Sequence, residues 1–179
     1  GVGGAFGPRA TPEAAAPPPR KMVDGTAADE LEGRATVGGA GPGSERVIGW
    51  SAVPIDADHR ATNLVASDRT EPYIARVESW PVELELELAG GEEVVVRGLR
   101  LEGGAVTDPS LLPRTVELYA NLGRTEKRWR SVTGGELDFS GGRATLSFVP
   151  IRARQIKLVI SDAQGSPSQI GLERIRVLR

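Results

Sequence analysis

The residues in this chain best equipped for chemistry fall in two places. The run Asp56-Ala57-Asp58-His59-Arg60 sets the single histidine of the sequence beside two carboxylates and a guanidinium. Such a group suits acid–base work, a metal or a polar ligand. One histidine and two nearby aspartates complete neither a tetrahedral nor a facial metal site, and no nucleophile motif accompanies them. The run is therefore expected to be a solvated polar loop. The second place is Glu83, Glu85 and Glu87, alternating with Val82, Leu84, Leu86 and Leu88. On a strand, successive glutamates on one face stand about 7 Å apart, which resembles the carboxylate spacing of glycoside hydrolases. Nothing in the sequence buries them, so a solvated strand face is the expectation. It would be balanced by a basic residue on the next strand, with Arg97 or Arg100 as candidates.

Composition narrows the classes further. The chain has 179 residues with 22 basic and 24 acidic groups, a net charge of -2. That balance gives no electrostatic basis for wrapping nucleic acid. There is no cysteine, which removes thiolate metal sites, disulfides and cysteine nucleophiles together. No apolar run approaches the roughly 20 residues needed to span a bilayer. No catalytic constellation is complete, and the expectation is a chain that is not an enzyme. The start at Gly1 suggests a processed or excised product.

Residues 1–45 are rich in Pro, Gly and Ala, as in Ala14-Ala15-Ala16-Pro17-Pro18-Pro19. They read as an extended arm or linker, with one short helix allowed between Thr26 and Gly33. From 46 onward, short runs of alternating apolar residues are punctuated by turn signals such as Ala89-Gly90-Gly91 and Ser140-Gly141-Gly142. Strands are expected over 46–50, 82–88, 93–101, 114–120, 128–132, 144–149, 154–161 and 171–178. The fold class is then all-β: an antiparallel jelly-roll sandwich of about eight strands carrying an N-terminal arm. Val116, Leu118, Leu146, Phe148, Ile156, Leu158 and Ile160 should point inward, and a bulge is expected near Glu173 because Leu172 and Ile175 fall out of phase.

Five segments in this order carry a family likeness. They are Ala61-Thr62-Asn63-Leu64-Val65-Ala66-Ser67-Asp68-Arg69-Thr70-Glu71-Pro72-Tyr73, Ser79-Trp80-Pro81 leading into Val82–Leu88, and Pro113 to Tyr119 followed by Trp129. Phe148-Val149-Pro150-Ile151-Arg152-Ala153-Arg154-Gln155-Ile156-Lys157-Leu158 and Ile170-Gly171-Leu172-Glu173-Arg174-Ile175-Arg176-Val177 complete the set. Over residues 46–179 the chain resembles discoidin, or coagulation factor 5/8 C-terminal-type, domains of the galactose-binding-like superfamily, including family 32 carbohydrate-binding modules. The resemblance implies a non-catalytic recognition domain, and several jobs are compatible with it. It also implies a structural calcium on Asp68, Thr70 and Glu173. Ala66, however, stands where the family places its first loop aspartate, and calcium needs about six to eight oxygen ligands. Glu173 has a simpler use, accepting from backbone donors or pairing with an arginine.

The chain has three Trp, two Tyr and three Phe. The resemblance puts Tyr73, Trp80, Trp129 and Phe148 in the core. Trp50, Tyr119 and Phe139 remain for a surface on which a sugar ring could stack, with Trp50 either that platform or an edge-strand core residue. The leading expectation is an accessory module that docks onto a protein partner in a larger extracellular or envelope-associated assembly, its arm joining the interface. Second comes a glycan-binding module using Trp50, His59, Arg60 and Tyr119. An intracellular scaffold subunit is third.

Overall fold

A computed structural model describes residues 23–24, 45–66, 71–123 and 128–179. Its strands are β1 (Val23–Asp24), β2 (Glu45–Trp50), β3 (Val53–Pro54), β4 (Tyr73–Arg76), β5 (Val82–Leu88) and β6 (Val94–Glu102). They continue as β7 (Pro113–Asn121), β8 (Trp129–Glu136), β9 (Arg143–Ala153), β10 (Gln155–Ala163), β11 (Gln169–Leu172) and β12 (Arg174–Leu178). One layer is a six-stranded sheet in the order β1-β2-β5-β10-β7-β8, and the strands opposite form β11-β4-β3 and β12-β6-β9. All pairings are antiparallel. The all-β sandwich expected from the alternation is thus the fold. Seven of the expected strands are present as single strands, the one expected over 171–178 divides into β11 and β12, and three short ones at 23–24, 53–54 and 73–76 join them. The helix allowed over 26–33 lies outside the described residues. Val23 and Asp24, in the stretch read as an arm, extend the sheet by pairing with Trp50 and Gly49.

Alternation explains the core. Leu158 lies opposite both Leu84 and Leu118, so three neighbouring strands place a leucine in one row. All three are fully buried. Val116, Ile156 and Ile160 join them inside as expected. Phe148 is only half-buried, because β9 is an edge strand and its ring packs on the margin of the core. The expected bulge at Glu173 is a sheet crossover. The chain leaves β11, paired with β4, and enters β12, paired with β6. That break lets both Leu172 and Ile175 point inward despite their odd spacing.

The glutamate face corrects the sequence expectation. Glu83, Val159 and Glu117 form one row across β5, β10 and β7, and Glu85, Lys157 and Tyr119 form the next. Glu83 is 2% exposed, Lys157 8% and Glu117 9%. Lys157 Nζ lies 3.7 Å from Glu83 Oε1 and 4.6 Å from the ring centre of Trp129. Trp129 therefore sits over the outer face of the sheet as a cation–π partner instead of in the core. Arg46 reaches Glu87 at 3.6 Å. Arg97 and Arg100 are on β6, in the opposite layer, and Arg97 Nε donates to the Arg179 carbonyl.

Tyr73 shows how a buried polar group is accommodated. Its hydroxyl donates to the Ala52 carbonyl at 2.5 Å, and burial holds its phenol far above the usual value near 10. Folding therefore opposes its ionisation. Above about pH 10 the unfolded chain releases this proton and the folded chain keeps it, so stability falls by about 1.4 kcal/mol per pH unit from this group. Urea titrations between pH 9 and about 11 should show a shallower decline for Tyr73→Phe than for the parent. Equal slopes would refute this assignment.

Candidate functional site

Glu45 and Arg179 pair with each other, and Leu88 N–H bonds to the Arg154 carbonyl, so these residues share one end of the sandwich. Strand register places Glu102, Arg143 and Arg174 at the other end. There the 56–60 loop, the 3-10 turn Ala61–Val65 and residues 71–72 surround a cavity of about 520 Å³. It is lined by Asp58, Arg60, Asn63, Glu71, Pro72 and the small residues Ala57 and Ala105.

The loop is held from within. Asp56 Oδ1 accepts the backbone N–H of Asp58 at 2.9 Å and of His59 at 3.1 Å. It also meets His59 Nδ1 at 2.7 Å. The His59 bond, helped by these backbone donors, keeps the Asp56 carboxyl below the usual aspartate range. His59 Nε2 faces Glu71 Oε1 at 3.6 Å, so the imidazole spans two carboxylates on opposite sides of the loop. Asn63, 5% exposed, donates through Nδ2 to the carbonyls of Asp58 at 2.8 Å and Glu71 at 2.9 Å. It fixes the separation of the two acidic walls. Sequence reading named Asn63 only as part of a motif and gave Glu71 no role. An asparagine entering a short turn between acidic loops was the available signal.

Of the residues expected to bind ligand, His59 and Arg60 come together at this end. Trp50 does not join them: at 3% exposure it belongs to the core, because its position at the end of β2 turns the ring between the layers. Tyr119 is fully buried on the outer face of β7, a central strand, and its hydroxyl meets Glu117 Oε1 at 3.3 Å. Neither ring can stack on a sugar. Phe139 is half-buried and packs on the core. Trp80 is also half-buried, with Nε1 donating to the Pro167 carbonyl at 2.9 Å. None of these rings lines the cavity.

The expected calcium ligands are not assembled by the described residues. Asp68 and Thr70 lie outside them. Glu173 Oε1 accepts the Ala105 N–H at 3.0 Å, the simpler use foreseen for it. Arg128 and Arg130, the described half of a basic cluster with Arg124 and Lys127, are exposed. Arg130 borders a second cavity of about 470 Å³ on the edge between β8 and β9, lined mainly by Leu122, Val132, Phe148, Val149 and Ile151. Among the described residues, no helix is long and apolar enough to cross a membrane.

Solved structures of the same architecture include family 32 carbohydrate-binding modules. One, from Clostridium perfringens in complex with GalNAc-β-1,3-galactose, has a TM-score of 0.63 and 17% identity, with 75% of this chain and 95% of that one covered. The family 32 module of C. perfringens NanJ, in complex with galactose, has a TM-score of 0.57 and 17% identity, covering 74% and 98%. Chitosan-binding module 1 of a chitosanase/glucanase from Paenibacillus sp. IK-5 has a TM-score of 0.60 and 15% identity, covering 78% and 97%. No family model and no curated protein sequence matches the chain. At such identities the likeness defines the fold alone, an antiparallel β-sandwich.

Proposed function

We propose that this chain is a non-catalytic carbohydrate-binding module whose sugar site is the polar cavity around Arg60, Asp58 and Glu71. The observation that carries this is the cavity itself: Arg60 and the acidic residues Asp58 and Glu71 line one space of about 520 Å³. A sugar's neighbouring hydroxyls can accept from the guanidinium and donate to the carboxylates at once. Asn63 and Asp56 supply the preorganisation that such shallow, hydrogen-bonded recognition needs. The fold's likeness to glycan-binding modules supports this reading over the protein-docking one that the sequence put first. Without ring stacking, affinity rests on polar contacts exposed to competing water, and a Kd on the order of 0.1–1 mM is expected. An extracellular or envelope setting follows from the ligand class.

The test is an NMR titration with galactose, N-acetylgalactosamine and chitosan oligomers. Saturable shifts at residues 56–60, 63 and 71 are expected with at least one sugar. Arg60→Ala should weaken that binding by about 10–100-fold, the worth of a charge-assisted hydrogen bond. Val149→Ala, at the other cavity, should leave it unchanged. No saturable shift with any sugar, or loss of binding in the Val149 variant alone, would overturn the proposal.

A further inference from the structure

The end of the sandwich that carries the cavity contains two backbone carbonyls that converge on one cation. Arg174, the first residue of β12, sends its Nη1 to the Asn63 carbonyl at 3.2 Å and to the Ala66 carbonyl. These acceptors flank the close of the 3-10 turn, where the Ala66 N–H already bonds to Asn63 O. Carbonyls aimed at one point concentrate negative potential there and need a cation or a donor. A divalent ion at that point would compete with a guanidinium that stays charged at every accessible pH. Position 66 adds no carboxylate, and Glu173 is engaged with Ala105. The described residues therefore do not fit the calcium that the resemblance implies.

We infer that Arg174 is this protein's own built-in cation, occupying the carbonyl cluster and tying the Ala61–Val65 turn to the last strand without a metal. The link joins residues 108 and 111 positions apart. The turn it anchors carries Asn63, the residue that sets the walls of the cavity. Divalent ions are then unnecessary for the shape of this end. The inference stands whether or not the cavity binds sugar.

Thermal unfolding of the whole chain in millimolar calcium and in excess EDTA tests it. The parent is expected to give the same Tm in both, within about 1 °C. Arg174→Gln vacates the carbonyls and is expected to lower Tm by about 5–10 °C. Arg174→Lys, which keeps a cation within reach of the same carbonyls, should recover about 3–5 °C of that loss. A chelator-sensitive parent would overturn the inference. So would an Arg174→Gln variant with the parent's Tm, or an Arg174→Lys variant no more stable than Arg174→Gln. Should the variant not fold, calorimetric titration of calcium into the parent decides: no binding heat is expected, and saturable binding with shifts at residues 63–66 and 174 refutes it.

Discussion

Replacing Lys157 with methionine is expected to destabilise the protein by about 3–5 kcal/mol, as breaking one side of a buried ion pair does. The ammonium is 3.7 Å from Glu83, and the two side chains are 10% and 3% exposed. Methionine fills nearly the same volume, so packing is preserved while the buried Glu83 carboxylate loses the ammonium beside it. The ring of Trp129, 4.6 Å from the ammonium, loses its electrostatic partner too. The double variant Glu83→Leu/Lys157→Met separates charge from packing. With both ions gone, stability should return to within about 1–2 kcal/mol of the parent or exceed it. Urea unfolding reads both, at low and at high salt. A buried pair is screened little, so the deficit of Lys157→Met should persist in salt. A deficit below about 1 kcal/mol would mean that this face is solvated, as the glutamate pattern alone suggested.

The second large effect concerns the centre of the core. Leu158→Ala should cost about 2–5 kcal/mol. Leu158 is fully buried on β10, the strand between β5 and β7, and its register partners are Leu84 and Leu118. With both flanking strands locked by their own hydrogen bonds, the space left by the lost carbons cannot close, and those carbons also forfeit their transfer from water. Leu158→Met, which keeps the volume, should cost less than about 1.5 kcal/mol. Val149, 81% exposed on β9, provides the contrast: Val149→Ala should stay within about 0.5 kcal/mol of the parent. Chemical denaturation of the three variants at one pH checks the order. A Leu158→Ala cost near that of Val149→Ala would refute the assignment of this row as the core.

The site carries a different lesson from the core. His59 and Arg60 could be placed at one end of a sandwich because a polar run between strands must lie in a loop, and loops gather at sheet ends. Trp50 could not be placed the same way. Its neighbours Gly49 and Ser51 suit a surface turn as well as the end of an edge strand, and only the pairing of β2 with β5 turns the indole inward. The role of Asn63 depends on two carbonyls, one five residues before it and one eight after. No local pattern ties those three positions together.

What the sequence by itself determined was the period of two: where strands run, which side chains share a face, and hence an antiparallel β-sandwich with Leu84, Leu118 and Leu158 inside. Alternation is a property of one strand, so it is written in consecutive residues. Which strands become neighbours, and what then lies over each face, was decided only in three dimensions. The glutamate strand looked solvated because its own alternation says nothing about β10 or β8. Pairing brought Lys157 beside Glu83 and Trp129 over Lys157, burying that part of the polar face while Glu85 and Glu87 stay partly exposed. The carbonyls of Asn63 and Ala66 met Arg174 across more than a hundred residues for the same reason. Charge compensation at a distance is set by strand order and register, and neither is encoded in any short stretch of chain.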